Sequence, residues 1–280
     1  MHDGASHEMD ELIRGLTQKP QFPRAAHYDP YWMIENQMGL NALWLAEFLC
    51  EAVPIEQGMR VLDLGCGRAT ASIFLAREFG CTVFAADAGI DPSENSRRIE
   101  EYEMSHLVFP LHADARRLPF AQGYFDVILC IDSFIYFGTD DLYLDYLRRF
   151  IRPGGRIGVV HPCLVNEFGN GVPEHLRPFW GQDCWSWHKA DWWRHLWERT
   201  GLVEISSVDS MPEGCQIYAD WKQCRLLLAQ DRLKNATSEK ERQKLEQSIS
   251  SIAVDMELLR EDQGRYVGFF RMAARCPEQS

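Results

Sequence analysis

The stretch VLDLGCGRAT, residues 61–70, constrains the fold more than any other part of the chain. A short apolar run ends in a Gly-x-Gly turn and a helical stretch opens directly after it, the local sequence of a buried strand feeding a helix. Gly65 and Gly67 permit the left-handed backbone that such a turn needs and let a ligand approach the main chain. The helix that follows offers free N–H groups. Further along, residues 82–86, 107–111, 125–130 and 156–160 also read as short buried strands, with helices near 69–79, 92–103 and 140–150 between them. Alternation of this kind spells a parallel sheet with crossover helices. A chain of 280 residues holds one such α/β domain together with a cap.

Three carboxylates around the turn narrow the choice of ligand. Asp63 stands two residues before Gly65, where its charge suits an ammonium or holds the turn's amides, and would repel a pyrophosphate. Asp87 ends the second strand, twenty residues past Gly67, where a carboxylate accepts both hydroxyls of a ribose. Asp114, in HADARRLPF, follows the third strand and suits an exocyclic adenine amine. Each also has a plainer use: Asp63 capping amides, Asp87 capping the helix near Pro92, Asp114 shaping a turn. Together they imply a nucleoside with a cationic tail. A nicotinamide-dependent oxidoreductase would share the glycine turn and Asp87, but Asp63, the missing third glycine and the RPGG turn argue against it.

With these motifs in order, residues 60–160 resemble a class I S-adenosylmethionine-dependent methyltransferase of the small-molecule type. VLDLGCG is similar to the family's first motif, Asp87 to its ribose-binding acid and ADARRLPF to its adenine-contacting segment. FDVILCIDSF looks like its fourth strand and IRPGGRIGVV like the turn before its fifth. Ala69 departs from the pattern, standing where many members carry a third glycine. The resemblance implies an α/β, Rossmann-like, doubly wound sheet of seven strands whose last runs antiparallel, plus helical cap elements; residues 202–208 and 266–274 suit the last two strands. It implies S-adenosylmethionine as cofactor, contacted by Asp63, Gly65, Cys66 and Gly67, then Asp87 and Ala88, Asp114 and Ala115, and Ile131. The expected reaction moves a methyl group to an N, O, S or C nucleophile of a small molecule by in-line displacement. A regulatory module that binds the donor without transfer is the alternative.

Ligands of such sheets sit beyond the carboxyl ends of the strands. That puts Asp132, Ser133 and Tyr136 after the fourth strand, and His161 after the fifth, beside the acceptor. His161 is the candidate base, since an unperturbed imidazole titrates at about 6.5, and His188 stands behind it. A His-Pro pair at a strand end also simply shapes a loop. Six of the nine tryptophans fall within residues 162–200: Trp180, Trp185, Trp187, Trp192, Trp193 and Trp197. Trp193 and Trp197, four apart, share a helix face and read as core; other rings of the group are candidates for the wall of a pocket that takes an aromatic or cationic acceptor.

Around the core, residues 1–58 read as an N-terminal helical cap segment with one amphipathic helix across 30–52. The donor-binding core runs over 59–210 and includes the Trp-rich acceptor-side segment 162–200; a helical insertion occupies 211–263, and 264–280 hold the final strand and tail. In the insertion Leu245, Ile249, Ile252, Met256 and Leu259 form one apolar seam, suited to packing within the chain or to pairing two subunits as a homodimer. A formal charge of −12 argues against nucleic acid as partner. No apolar run is long enough for a membrane span, and the N-terminus is polar and acidic where a signal peptide would be basic and apolar. Nine scattered cysteines without a CxxC pair read as reduced thiols in a cytoplasmic protein. His161, Cys163, Cys184 and His188 fit no zinc spacing, so no metal is expected.

Overall fold

The computed structural model describes residues 2–278. Three helices come first: α1 (His2–Thr17), α2 (Pro30–Glu35) and α3 (Ala42–Cys50). The alternating part follows as β1 (Arg60–Leu64), α4 (Thr70–Phe79), β2 (Thr82–Asp87), α5 (Pro92–Glu101), β3 (Val108–His112), β4 (Phe125–Ile131), α6 (Tyr143–Arg148) and β5 (Ile151–Leu164). The chain continues through α7 (Ala190–Glu198), β6 (Glu204–Ser210), α8 (Gly214–Asn235), α9 (Glu239–Asp262) and β7 (Val267–Arg275). All seven strands join one sheet in the order β3-β2-β1-β4-β5-β7-β6, and β7 runs antiparallel to both its neighbours. This is the doubly wound arrangement expected. Its order changes direction between β1 and β4, which opens a crevice at the carboxyl ends of those strands.

Helices cover both faces, which is why the strands read as nearly continuous apolar runs. Val61, Val83, Val127 and Leu129 share one core with Trp44 and Phe74 of α3 and α4; Leu62, Leu64, Ile128 and Cys130 share the other with Leu147, Trp193 and Trp197. The helix expected across 30–52 is in fact two. Asp29 caps α2 with Pro30 in the first turn, and Asn41 caps α3 by accepting from the Leu43 N–H at 3.0 Å. Residues 36–41 between them form a strap that reaches Asp132 at Gly39. Leu40 on the strap is buried, so the apolar spacing runs on through a break it cannot report.

β5 starts at Ile151 rather than near Arg156 because the RPGG turn is a bulge inside the strand: Phe125 pairs with Ile151 and Val127 with Arg156. The insertion holds two helices, α8 and α9, which pack on one another, and α1 lies along α8. Ile252 and Leu259 of the apolar seam are buried inside the chain, while Leu245, Ile249 and Met256 are half-buried. Asp262, fully buried, ties the end of α9 to β7. Its Oδ1 meets His175 Nε2 at 3.0 Å, and its Oδ2 accepts from the N–H groups of Tyr266 and Val267.

Candidate active site

Gly65 and Gly67 have φ values of +76° and +54°, a region that favours glycine. Space demands glycine at position 65 as well, where a Cβ would lie 2.8 Å from Ser133 Oγ; one on Gly67 would meet only the mobile end of the exposed Met38 side chain. Ser133 Oγ donates to the Leu64 carbonyl at 2.6 Å, tying the ends of β1 and β4 together. The N–H groups of Gly65 and of the buried Cys66 both donate to the Ala86 carbonyl, at 2.8 and 3.1 Å. Ala69 opens α4 at φ +57°, filling a left-handed position without glycine.

Asp87 gathers this turn to the end of β2. Its Oδ2 accepts from the Gly67 N–H at 2.8 Å, and its Oδ1 from Gly89 and Ile90 at 2.7 and 2.9 Å. Capping of α5 falls instead to Asp91, which accepts from the Ser93 N–H at 2.8 Å. A carboxylate has about four acceptor positions, so three amides leave Asp87 able to take a hydroxyl at its part-exposed edge. Ala88 beside it is exposed. Asp114 is exposed too and accepts from the Arg116 N–H at 2.8 Å, which is its turn-forming use. Ala115 is buried, its carbonyl accepting from Tyr143 Oη at 2.9 Å, and Ile131 is buried at the end of β4.

Asp63 is fully buried. It makes no bond to the turn's amides among the described residues; Ser72 Oγ donates to Oδ2 at 2.5 Å, and Oδ1 has no partner. Burial pushes its carboxyl up to about 7. Asp132, half-buried, is a second acid with a raised pKa. It sits at φ +59° just past β4, its N–H donates to the Val160 carbonyl at 2.8 Å, and burial pushes its carboxyl to about 7 against the pull of the Leu40 N–H.

Of the residues expected near an acceptor, Tyr136 is exposed, with its carbonyl accepting from Arg116 Nη2 at 3.1 Å. His161 does not stand beside it at the surface. Its ring is wholly buried between Trp193 and Phe270, with centroid distances of 4.9 and 4.7 Å, because β5 turns that side chain into the core under α7. Nδ1 lies 2.9 Å from the Pro162 carbonyl, so it carries the proton; Nε2 has no partner. Burial lowers its pKa to about 4. His188 stacks on Trp192 at 3.8 Å, and burial lowers its pKa too. Trp187, Trp193 and Trp197 are core, whereas Trp185 is 67% exposed and Trp192 37%.

Several residues of the site have no counterpart in the sequence reading. Ser72 is one. The strap is another: Asn95 Nδ2 donates to the Gly67 carbonyl at 2.9 Å, and Arg98 joins Asn95 Oδ1 to Asn36 Oδ1 at 2.9 and 3.0 Å, so the strap is tied to the glycine turn. Tyr218, Lys222 and Arg225 of α8 form a third group, legible only as helical spacing. Lys222 Nζ donates to Asp255 Oδ2 at 2.6 Å and lies 4.9 Å from the centre of the Tyr218 ring. Among the described residues no three His, Cys, Asp or Glu groups are placed to hold a metal, and no helix is long and apolar enough to cross a membrane.

Residues 61–155 match the family described as Methyltransferase domain. Methyltransferase GfsG of Streptomyces halstedii is 34% identical over 156 residues, covering 54% of this chain and 54% of that protein. The chain thus spans about half the length of that curated relative. Among solved structures, Haemonchus contortus phosphoethanolamine N-methyltransferase 2 in complex with S-adenosyl-L-methionine shares the fold with a TM-score of 0.69 and 18% identity, over 95% of this chain and 60% of that one. The [4+2]-cyclase SpnF shares it with a TM-score of 0.62 and 16% identity, over 97% and 95%.

Proposed function

Because residues 61–155 match a methyltransferase domain, we propose that this chain is a class I, S-adenosylmethionine-dependent methyltransferase that transfers a methyl group from that donor to a small-molecule acceptor. The observation that carries the reading is the convergence of Asp63, the Gly65–Gly67 turn and Asp87 at the crevice between β1 and β4. S-adenosylmethionine, when bound, supplies an activated methyl group on a sulfonium that leaves without an acid's help. Asp87 accepts from the ribose hydroxyls, and Asp114 with Ala115 receives the adenine. Asp63, fully buried behind the turn with Oδ1 unpartnered, favours the donor's ammonium by its charge from behind the glycines. The chain's main task is then to align a nucleophile with the methyl carbon and to keep water out.

Asp132 and Tyr136 face the acceptor in this reading, with the strap as one wall of the space that acceptor and donor share. Asp132, with its pKa near 7, accepts a hydrogen bond or a proton from the nucleophile. His161, wholly buried against Trp193, supports the wall from behind. Trp192, with His188 stacked on it, and Trp185 offer exposed aromatic faces for an aromatic or cationic acceptor. Nine unpaired thiols, eight of them buried, suit the reducing cytoplasm.

Calorimetry with S-adenosylmethionine and with NAD, followed by an assay for S-adenosylhomocysteine release across an acceptor panel, tests the proposal. Binding of NAD in place of the sulfonium donor would end it. The likeness in fold to a cyclase favours one second reading, a donor-binding domain without transfer, since fold alone does not fix chemistry. Donor binding with no release from any acceptor would select it.

A further inference from the structure

Beyond the donor site, α8 turns a charged face toward Asp132 and the strap. Trp221 Nε1 donates to the Gly39 carbonyl at 3.1 Å, and Gly39 in turn lies against the Asp132 carboxylate, so this part of α8 stands across the strap from the end of β4. Tyr218, Lys222 and Arg225 occupy that side of the helix at successive turns. Two of the charges there cancel: Lys222 is buried and bonded to Asp255. Arg225 is different. It is part-buried, yet among the described residues no carboxylate comes within 4.0 Å of its guanidinium. Its one close side-chain partner is the Gln37 amide of the strap, whose oxygen takes the Nε–H at 3.1 Å once the amide is oriented to satisfy both neighbours. Burial lowers the Arg225 pKa while the charges of Tyr218 and Asp255 act to raise it, and Tyr218 has both Asp132 and Arg225 among its charged neighbours. A guanidinium has five N–H donors in a planar fork that matches an oxyanion, and leaving most of them without acceptors in a part-buried place is costly.

The geometry points to Arg225 as the receptor for an oxyanion, a carboxylate or a phosphate, carried by the methyl acceptor, whose nucleophilic end then lies toward Asp132. The inference rests on the transfer reading above and sharpens it. An acceptor with an anionic group at one end and an amine or hydroxyl at the other reaches from Arg225 past the strap toward Asp132, whereas a purely cationic or neutral one leaves the guanidinium unanswered.

The test has a binding arm and a turnover arm. In the first, nitrogen-edited NMR spectra of the full chain saturated with S-adenosylhomocysteine follow the Arg225 Nε–H and Trp221 indole N–H. Inorganic phosphate or sodium acetate is titrated in at constant ionic strength. Both signals are expected to move and to saturate. In Arg225→Gln the Trp221 response weakens by about tenfold or more in midpoint, while S-adenosylhomocysteine binding holds. Arg225→Lys recovers part of the response. Signals that stay still, or a Trp221 response equal in wild type and Arg225→Gln, overturn the inference. In the second arm, matched amines with and without an oxyanion, glycine against glycinamide and phosphoethanolamine against ethanolamine, are offered with the methyl donor. Transfer favouring an anionic member, with its KM raised about tenfold in Arg225→Gln and kcat little changed, supports the inference and separates carboxylate from phosphate. Preference for the neutral members overturns it. Saturable anion binding at Arg225 with no transfer to any amine counts against the transfer reading while the anion site stands.

Discussion

The Cα of Gly39 lies so close to the Asp132 carboxylate that any side chain at position 39 would overlap Oδ2. One residue on an N-terminal strap and one at the end of β4 are therefore packed as a unit, and the unit meets α8 through the Trp221 indole bond to the Gly39 carbonyl. Gly39→Ala must push Asp132 or the strap aside. The expected cost is about 1–3 kcal/mol of stability, as for overpacking in general, together with a fall in S-adenosylhomocysteine production larger than the fall in donor affinity. Urea unfolding and steady-state kinetics measure the two effects, and a variant that matches the parent in both would show that the contact is slack.

Asp87 holds three backbone amides as well as its proposed ribose. Replacing it by Ala removes a charged acceptor, and donor binding should weaken by about 2–4 kcal/mol. Titration calorimetry with S-adenosylhomocysteine reads this directly; an unchanged dissociation constant would refute the assignment.

Asp63 makes stability depend on pH. Its carboxyl titrates near 7 in the folded chain against an ordinary 3.8, so between those values the folded state holds a proton that the unfolded state has lost. The stabilisation is complete below the lower value and declines as pH rises toward 7, by up to about 4 kcal/mol. Asp132 acts in the same sense. His161, lowered to about 4, acts oppositely: its contribution is present above 6.5 and is lost as pH falls toward 4. Asp63→Asn should flatten the decline across the acid range in the ligand-free protein. Urea midpoints of parent and variant that fall in parallel with rising pH would show that Asp63 is not responsible.

The tryptophans should divide by burial. Trp193 packs wholly buried against Phe134 and His161, so Trp193→Ala is expected to cost about 3–5 kcal/mol. Trp185, 67% exposed, should cost no more than about 0.5 kcal/mol when replaced by Ala. Any effect of Trp185→Ala on an acceptor's KM is then a binding effect, and denaturant midpoints establish that control.

The local parts of this protein were legible because each is specified by residues close together in the chain. VLDLGCG can form little other than a buried strand and a left-handed turn, and Asp87 follows at the spacing that one strand, one helix and one further strand impose. Seven strands and an antiparallel last one are what those motifs imply by resemblance; the order of the strands is seen only in the fold. Other features depend on residues far apart, and no spacing carries them. Ser72 reaches Asp63 only because α4 folds back over β1, and the helix expected across 30–52 breaks where Asp132, about ninety residues on, meets Gly39. His161 is a candidate base by its place after a strand and the ordinary pKa of an imidazole. Which way the ring points is decided by the turn of β5, and it points into the core. Sequence by itself determined the donor crevice, since strand, turn and acid are near neighbours whose geometry follows from backbone sterics. Tertiary structure alone decided what faces that crevice, because the strap, Asp132 and the charged side of α8 meet only when the whole sheet has closed and the chain's distant segments are buried against one another.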